Sequence, residues 1–141
     1  MDLKTRTRVT GATGKMARHG HASLVTETGG TLDVVTGVSD PGFNPLDLLY
    51  ASLAACLVLS VKGAVNRLQF ADRFVDVSAH VNGEKAHEGP SRVETIHAKL
   101  TVNGDFSELE RQEIAKLAKE LCTVSNTLAL TPAIHVSVES A

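Results

Sequence analysis

Asn44-Pro45-Leu46-Asp47-Leu48-Leu49-Tyr50-Ala51-Ser52-Leu53-Ala54-Ala55-Cys56-Leu57-Val58-Leu59-Ser60-Val61 is the stretch from which the fold can be read. It opens with a helix-start pattern: Asn44 can cap, Pro45 suits the first helical position, and Asp47 sits three residues after the cap. The helix is predicted to run to about Arg67. From Leu48 to Val61 it is apolar nearly all round, so it must be enclosed on all sides. The apolar stretch itself falls short of the about 20 residues that span a bilayer, so a buried core helix is expected and no membrane span. One thin sheet from a chain of 141 residues would struggle to wrap such a helix, and a second subunit is the natural cover.

Upstream, three strands are expected: Lys4–Val9, Ala17–Thr26 and Thr31–Thr36, with Gly11 and Gly14 breaking the pattern after the first and Gly29-Gly30 turning between the others. They form an antiparallel meander. Ser39 to Phe43 is the loop into the helix. Downstream, Phe74 to Val81 alternates, with Val75, Val77, Ala79 and Val81 inward. Asn82 to Arg92 is a polar connection. Val93 to Val102 alternates again, with Ile96, Ala98, Leu100 and Val102 inward. Ser107 and Glu110 form a capping-box pattern for a second helix, whose apolar stripe is Ile114, Leu117, Ala118 and Leu121. That helix ends near Cys122, and a short helix over Cys122 to Leu128 follows. A last strand is expected over Ile134, Val136 and Val138. The order β-β-β-α-β-β-α-(α)-β makes an α+β chain, read as a single domain over residues 1–141.

Bulk properties narrow the function. The net charge of −2 gives no nucleic-acid footprint, and four Phe, one Tyr and no Trp leave few stacking platforms. No nucleic-acid partner is expected. The first residues, Met1 to Arg8, carry charges with no apolar run after them, so no secretory signal is read and the cytoplasm is the expected compartment. There, thiols are kept reduced, and two cysteines are buried bystanders or redox-active groups rather than a permanent staple.

Each cysteine has a distinctive setting. Cys56 lies in the apolar helix, where a thiol is inert unless a cation stands beside it. Taken alone it reads as a packing residue rather than a nucleophile. Cys122 lies at a helix junction, in Leu121-Cys122-Thr123-Val124-Ser125-Asn126, where a helix N-terminus favours the thiolate.

These blocks resemble the OsmC/Ohr family of hydroperoxide reductases (osmotically inducible protein C and organic hydroperoxide resistance protein) over nearly the whole chain. Asn44 to Cys56 is similar to the family's Asn-Pro opening, small-residue helix and first cysteine, at the same interval. Cys122-Thr123-Val124-Ser125-Asn126 resembles its Cys-Pro-x-Ser block. Thr13 to Ala22, followed by Leu32-Asp33-Val34, is similar to the stretch that carries its catalytic arginine, and the match falls on Arg18.

The resemblance implies an OsmC-like fold and an intertwined homodimer, with two long central helices wrapped by antiparallel sheets and active sites at the interface. It implies that Cys56 attacks an organic hydroperoxide and becomes a sulfenic acid, and that Cys122 condenses with it to a disulfide. Arg18 would favour the thiolate and position the peroxide. A dithiol, lipoyl-type in the hydroperoxide-resistance branch, would restore both thiols. No metal or nucleotide cofactor is implied.

Three features depart from the family pattern. The best-known peroxidase branch has glutamate directly after Asn-Pro; here Leu46 stands there and Asp47 follows, turned by about 100° on a helix. Asp47 therefore has two readings, catalytic carboxylate or first-turn cap. Thr123 stands where proline is usual, and the loop before the helix is short. For Arg18 the alternative is a solvated strand arginine, with Lys15 the fallback cation; Arg6 and Arg8 belong to an exposed strand face. His19 and His21 alternate on one strand without a matching ligand pair, so no metal is read. His80, His97 and His135 fall on polar strand faces. Ser125 and Asn126 are candidate caps of the short helix. Two other function classes use the same residues: a redox sensor without fast turnover, and a non-enzymatic dimer that binds an apolar ligand.

Overall fold

A computed structural model describes residues 9–37 and 39–140. Its elements are strands β1 (Ala12–Lys15), β2 (Ala22–Thr26) and β3 (Thr31–Val34), helix α1 (Pro45–Arg67), a 3-10 turn at Ala71–Arg73, strands β4 (Phe74–Lys85) and β5 (Val93–Gly104), and helices α2 (Glu108–Leu121) and α3 (Thr123–Ala129). The chain is α+β with antiparallel sheets, as the sequence pattern predicts. It divides into two compact units, the first ending at Leu48 and the second starting at Leu49.

The first unit carries the three-stranded sheet, in the order β1-β2-β3. The strand expected over Lys4–Val9 lies outside the described residues except for Val9, which is in no strand. A strand forms instead over Ala12–Lys15, the stretch read as broken by glycines. It pairs with β2 from Ala12 opposite Thr26 to Lys15 opposite Ser23, and this ladder outweighs the weak strand preference of Gly14. Leu24 lies directly across from Gly14, where a Cβ would meet its side chain at 3.4 Å. The second strand starts at Ala22, not Ala17, because Gly20 turns with φ +98°. The third stops at Val34, not Thr36: the Val35 N–H leaves the meander to donate to Phe43 O at 3.0 Å.

The start of α1 is a capping box. Asn44 Oδ1 accepts from the Asp47 N–H at 2.9 Å, and Asp47 Oδ2 accepts from the Asn44 N–H at 3.1 Å. The far end is a Schellman turn: Gln69, at φ +61°, donates to Asn66 O, and Phe70 donates to Val65 O at 2.7 Å. The 23 residues and mean hydropathy of 1.9 make α1 long and apolar enough to cross a membrane, so the length argument made for Leu48–Val61 does not hold for the whole helix. Leu53, Leu57, Val61, Ala64 and Val65 are buried in the second unit's core.

That core joins α1 to β4, β5 and α2. Val61, Ala64 and Val65 meet Val102, Phe106, Ile114 and Ala118, with Leu68, Phe70, Phe74, Leu117 and Leu121 around them. The predicted stripe of α2 is the one buried, and its capping box is present: Glu110 N–H to Ser107 Oγ at 3.1 Å, Ser107 N–H to Glu110 Oε1 at 3.0 Å. Arg73 also engages Glu110, in a two-pronged pair at 3.1 and 2.8 Å, with its guanidinium over the rings of Phe70 and Phe106. The Glu110 carboxyl is held down at about 2, first by the Arg73 hydrogen bond and then by the Ser107 N–H.

Four expectations for the second unit are corrected. Val75 is 70% exposed because a bulge lies between Phe74, opposite Gly104, and Asp76, opposite Asn103. Ala98, expected inward, is exposed in the single chain. β4 runs on to Lys85, shortening the expected connection, because Gly83 leaves room for Tyr50 Oη and Val93: a Cβ there would lie 2.7 and 2.8 Å from them. The last strand expected over Ile134–Val138 is also corrected: residues 131–140 pair with no strand. Ile134, Val136 and Val138 are 82, 90 and 97% exposed. A strand needs a ladder, and the described residues of the single chain offer this segment none.

Candidate active site

Cys56 is midway along α1, between Leu53 and Leu57, on a helix whose cap and Schellman turn fix both ends. Cys122 is the joint between α2 and α3. Its backbone N–H closes α2 on Lys119 O at 3.3 Å, and its Sγ accepts from the Ser125 N–H at 3.4 Å, making it the N-cap of α3. Both are free thiols. They meet in one apolar cluster: Leu53, Leu57 and Cys122 at its centre, with Cys56, Ala79, Val81, Ile96, Leu100 and Val124 packed round.

The Cys56 thiol is close enough to the Cys122 thiol to perturb its titration. Burial pushes the Cys122 thiol up, and Cys56 pushes it further; the N–H groups of Ser125 and Val124 pull the other way. Cys122 is fully buried, whereas Cys56 keeps part of its surface open. Two adjacent thiols in an apolar wall, one of them open to an incoming molecule, are suited to two-electron oxidation followed by disulfide closure.

The other sequence candidates belong to the first unit. Arg18 is exposed in a bend between β1 and β2, and Lys15 is exposed on β1. His19 and His21, expected on one strand, lie in and just after that bend. Among the described residues no three His, Cys, Asp or Glu side chains converge as metal ligands. Asp47 has its carboxylate in the α1 cap.

The sequence reading missed the donors to Cys122. Ser125 was a candidate cap through its hydroxyl; here its backbone N–H serves the Cys122 sulfur, and the sulfur is the cap. The available signal was the break between two helical patterns falling on a cysteine. Asn126, the other candidate cap, instead reaches back, its Nδ2 donating to Glu120 O at 3.1 Å.

The model of a family described as OsmC-like protein matches residues 37–139. Several solved structures share the fold. An organic hydroperoxide resistance protein OsmC from Legionella pneumophila superposes with a TM-score of 0.71 at 21% identity, over 88% of this chain and 91% of that one. An OsmC-like protein from Mycoplasma pneumoniae gives 0.73 at 19%, over 89% and 91%. The organic hydroperoxide resistance protein OhrB of Bacillus subtilis gives 0.63 at 21%, over 85% and 90%. Identities this low establish likeness of fold alone. Among curated protein sequences none matches the chain.

Proposed function

The chain belongs to the OsmC-like family, and from that premise we propose that it is a thiol peroxidase that reduces organic hydroperoxides to alcohols. The observation that carries this reading is the contact between the Cys56 and Cys122 thiols inside one apolar cluster. The Cys56 thiolate attacks the terminal peroxide oxygen in line; the O–O bond breaks, and the leaving alkoxide takes a proton to become ROH. Cys56 is then a sulfenic acid. The Cys122 sulfur attacks it, water leaves, and the disulfide forms. A dithiol, lipoyl-type or similar, restores both thiols by exchange and is itself oxidised to a disulfide.

Cys56 takes the attacking role because it is the half-buried cysteine of the pair while Cys122 is buried, and apolar walls favour an alkyl peroxide over hydrogen peroxide. Arg18 is assigned the cation that favours the thiolate and holds the peroxide oxygens. Asp47 enters only as the cap of α1, where its carboxylate is already engaged.

The working form is a homodimer. A stripe of α1 remains exposed along Ser52, Ala55, Leu59, Lys62 and Asn66, and the apolar side chains of residues 134–138 lie bare. A second copy covers both. The reaction is expected in the cytoplasm, where dithiol reductants are available.

The test is hydroperoxide consumption with a dithiol or a monothiol reductant, on wild type and Cys56→Ser. Turnover should favour the dithiol and vanish in Cys56→Ser. Turnover that persists in Cys56→Ser would remove this function.

A further inference from the structure

We infer that the redox state of the cysteine pair controls the helix that follows it: closing the Cys56–Cys122 disulfide uncaps α3 and loosens its first turn. The inference rests on the proposed thiol chemistry and adds a conformational consequence to it.

The two cysteines are mounted very differently. Cys56 lies inside a continuous 23-residue helix, with backbone hydrogen bonds on both sides and a closed cap at each end. Moving its Cα would mean moving α1. Cys122 lies in no helix. Its φ of −78° and ψ of 104° belong to extended backbone; its N–H donates to Lys119 O at 3.3 Å, and its carbonyl accepts from the Asn126 N–H at 3.0 Å. Whatever closes the gap between the sulfurs must therefore come mostly from Cys122.

A disulfide brings two sulfurs to about 2.05 Å, far inside the contact of two thiols, and fixes the torsion about the new bond. The Cys122 Sγ must turn toward Cys56. In the reduced protein that sulfur accepts the Ser125 N–H at 3.4 Å. Turning it away breaks the bond. The Ser125 N–H then loses its partner.

α3 spans only Thr123–Ala129, too short to persist without support. No side chain of α3 lies fully in the core, although Val124 packs against the cysteine cluster. Its other tethers are the Asn126 N–H to Cys122 O, Asn126 Nδ2 to Glu120 O and Thr127 Oγ1 to Thr123 O; none of them replaces the sulfur as the partner of the Ser125 N–H. Beyond it comes Thr131 at φ +37°. The first turn of α3 is thus the compliant part through which the disulfide closes.

The redox balance is complete within the proposed reaction. One hydroperoxide accepts two electrons and becomes an alcohol, and water leaves as the S–S bond forms. Reduction by a dithiol returns two protons and two electrons, frees the Cys122 sulfur and lets α3 recap.

Hydrogen–deuterium exchange by mass spectrometry on the whole protein tests this, with and without one equivalent of an alkyl hydroperoxide. Intact mass scores the disulfide as a loss of two hydrogens. Exchange in peptides covering residues 123–130 should rise at least about threefold on oxidation, the scale of losing a modest helix cap. Peptides from the middle of α2 should not change. Cys122→Ser keeps an oxygen cap and forms no bridge, so its α3 should exchange alike in both conditions. Cys56→Ser, which retains the native Cys122 cap, should do the same. A disulfide that forms while α3 protection stays constant or rises would overturn this inference and leave the peroxidase reading standing. Failure to form the disulfide would overturn both.

Discussion

Replacing Ile114 by alanine should unlock the joint between α1 and α2 without touching the thiols. Ile114 has no exposed surface and shares a cluster with Val61, Ala64, Val65, Val102, Phe106 and Ala118. Loss of its buried carbons beyond Cβ costs about 2.4 kcal/mol in transfer alone, at about 0.8 per methylene. The cavity left behind raises the total to roughly 3–4 kcal/mol. For a chain of this size that is a fall in Tm of roughly 10–15 °C. In urea, the midpoint should drop by about 1.5–2 M with the slope unchanged. Protein concentration must be held fixed, since assembly adds to apparent stability. Leu109→Ala on the same helix is the control: Leu109 is 76% exposed, and its loss should stay within about 0.5 kcal/mol. If Ile114→Ala costs under about 1 kcal/mol, or no more than Leu109→Ala, the assignment of the α2 face to the core is wrong.

Other perturbations address the clamp, the cation and the assembly. Glu110 titrates at about 2 in the folded chain against an ordinary 4.5, so its stabilising contribution is complete above 4.5 and is lost as pH falls through about 2. Thermal melts between pH 5 and 2 should therefore slope less steeply in Glu110→Gln than in wild type; equal slopes would show that the Arg73 pair contributes nothing. Arg18→Ala should slow the stopped-flow attack on an organic hydroperoxide by about 10² or more, the usual scale for one transition-state donor. A wild-type rate would move the cation role to Lys15 or to another arginine. Sedimentation should give a dimer for the full chain and weaker association after deletion of residues 131–141, because the bare Ile134, Val136 and Val138 need a second copy. A well-folded monomer at micromolar concentration would refute that.

Much of the architecture is legible because it is local. Asn44-Pro45 with Asp47, and Ser107 with Glu110, announce helix starts through hydrogen bonds that span three residues, and both boxes form. The stripe of Ile114, Leu117, Ala118 and Leu121 specifies which face of α2 is buried. Features made by pairing are not legible. Ala12–Lys15 forms a strand despite Gly14 because β2 supplies a ladder, and Val75 leaves the pattern because one extra residue is absorbed opposite β5. Residues 134–138 have the alternation of a strand and no partner within the described chain, and alternation cannot supply one. At the site, the cysteines stand out in sequence by their settings, but their contact, and the capping of α3 by a sulfur, depend on tertiary placement. The family resemblance named the pair; side-chain pattern alone favoured Cys56 as a packing residue.

Peptide mapping under non-reducing conditions, after one equivalent of an organic hydroperoxide, tests the central claim most directly. Wild type should lose two hydrogens per chain, run as a single chain when denatured, and yield one linked peptide pair containing Cys56 and Cys122. Cys122→Ser should release one equivalent of alcohol per subunit and carry a sulfenic acid on Cys56, advancing to sulfinic acid with excess peroxide. Two free, unoxidised thiols in wild type after the peroxide has been given time to react, or an oxidised Cys122 beside an intact Cys56 thiol, would contradict the account.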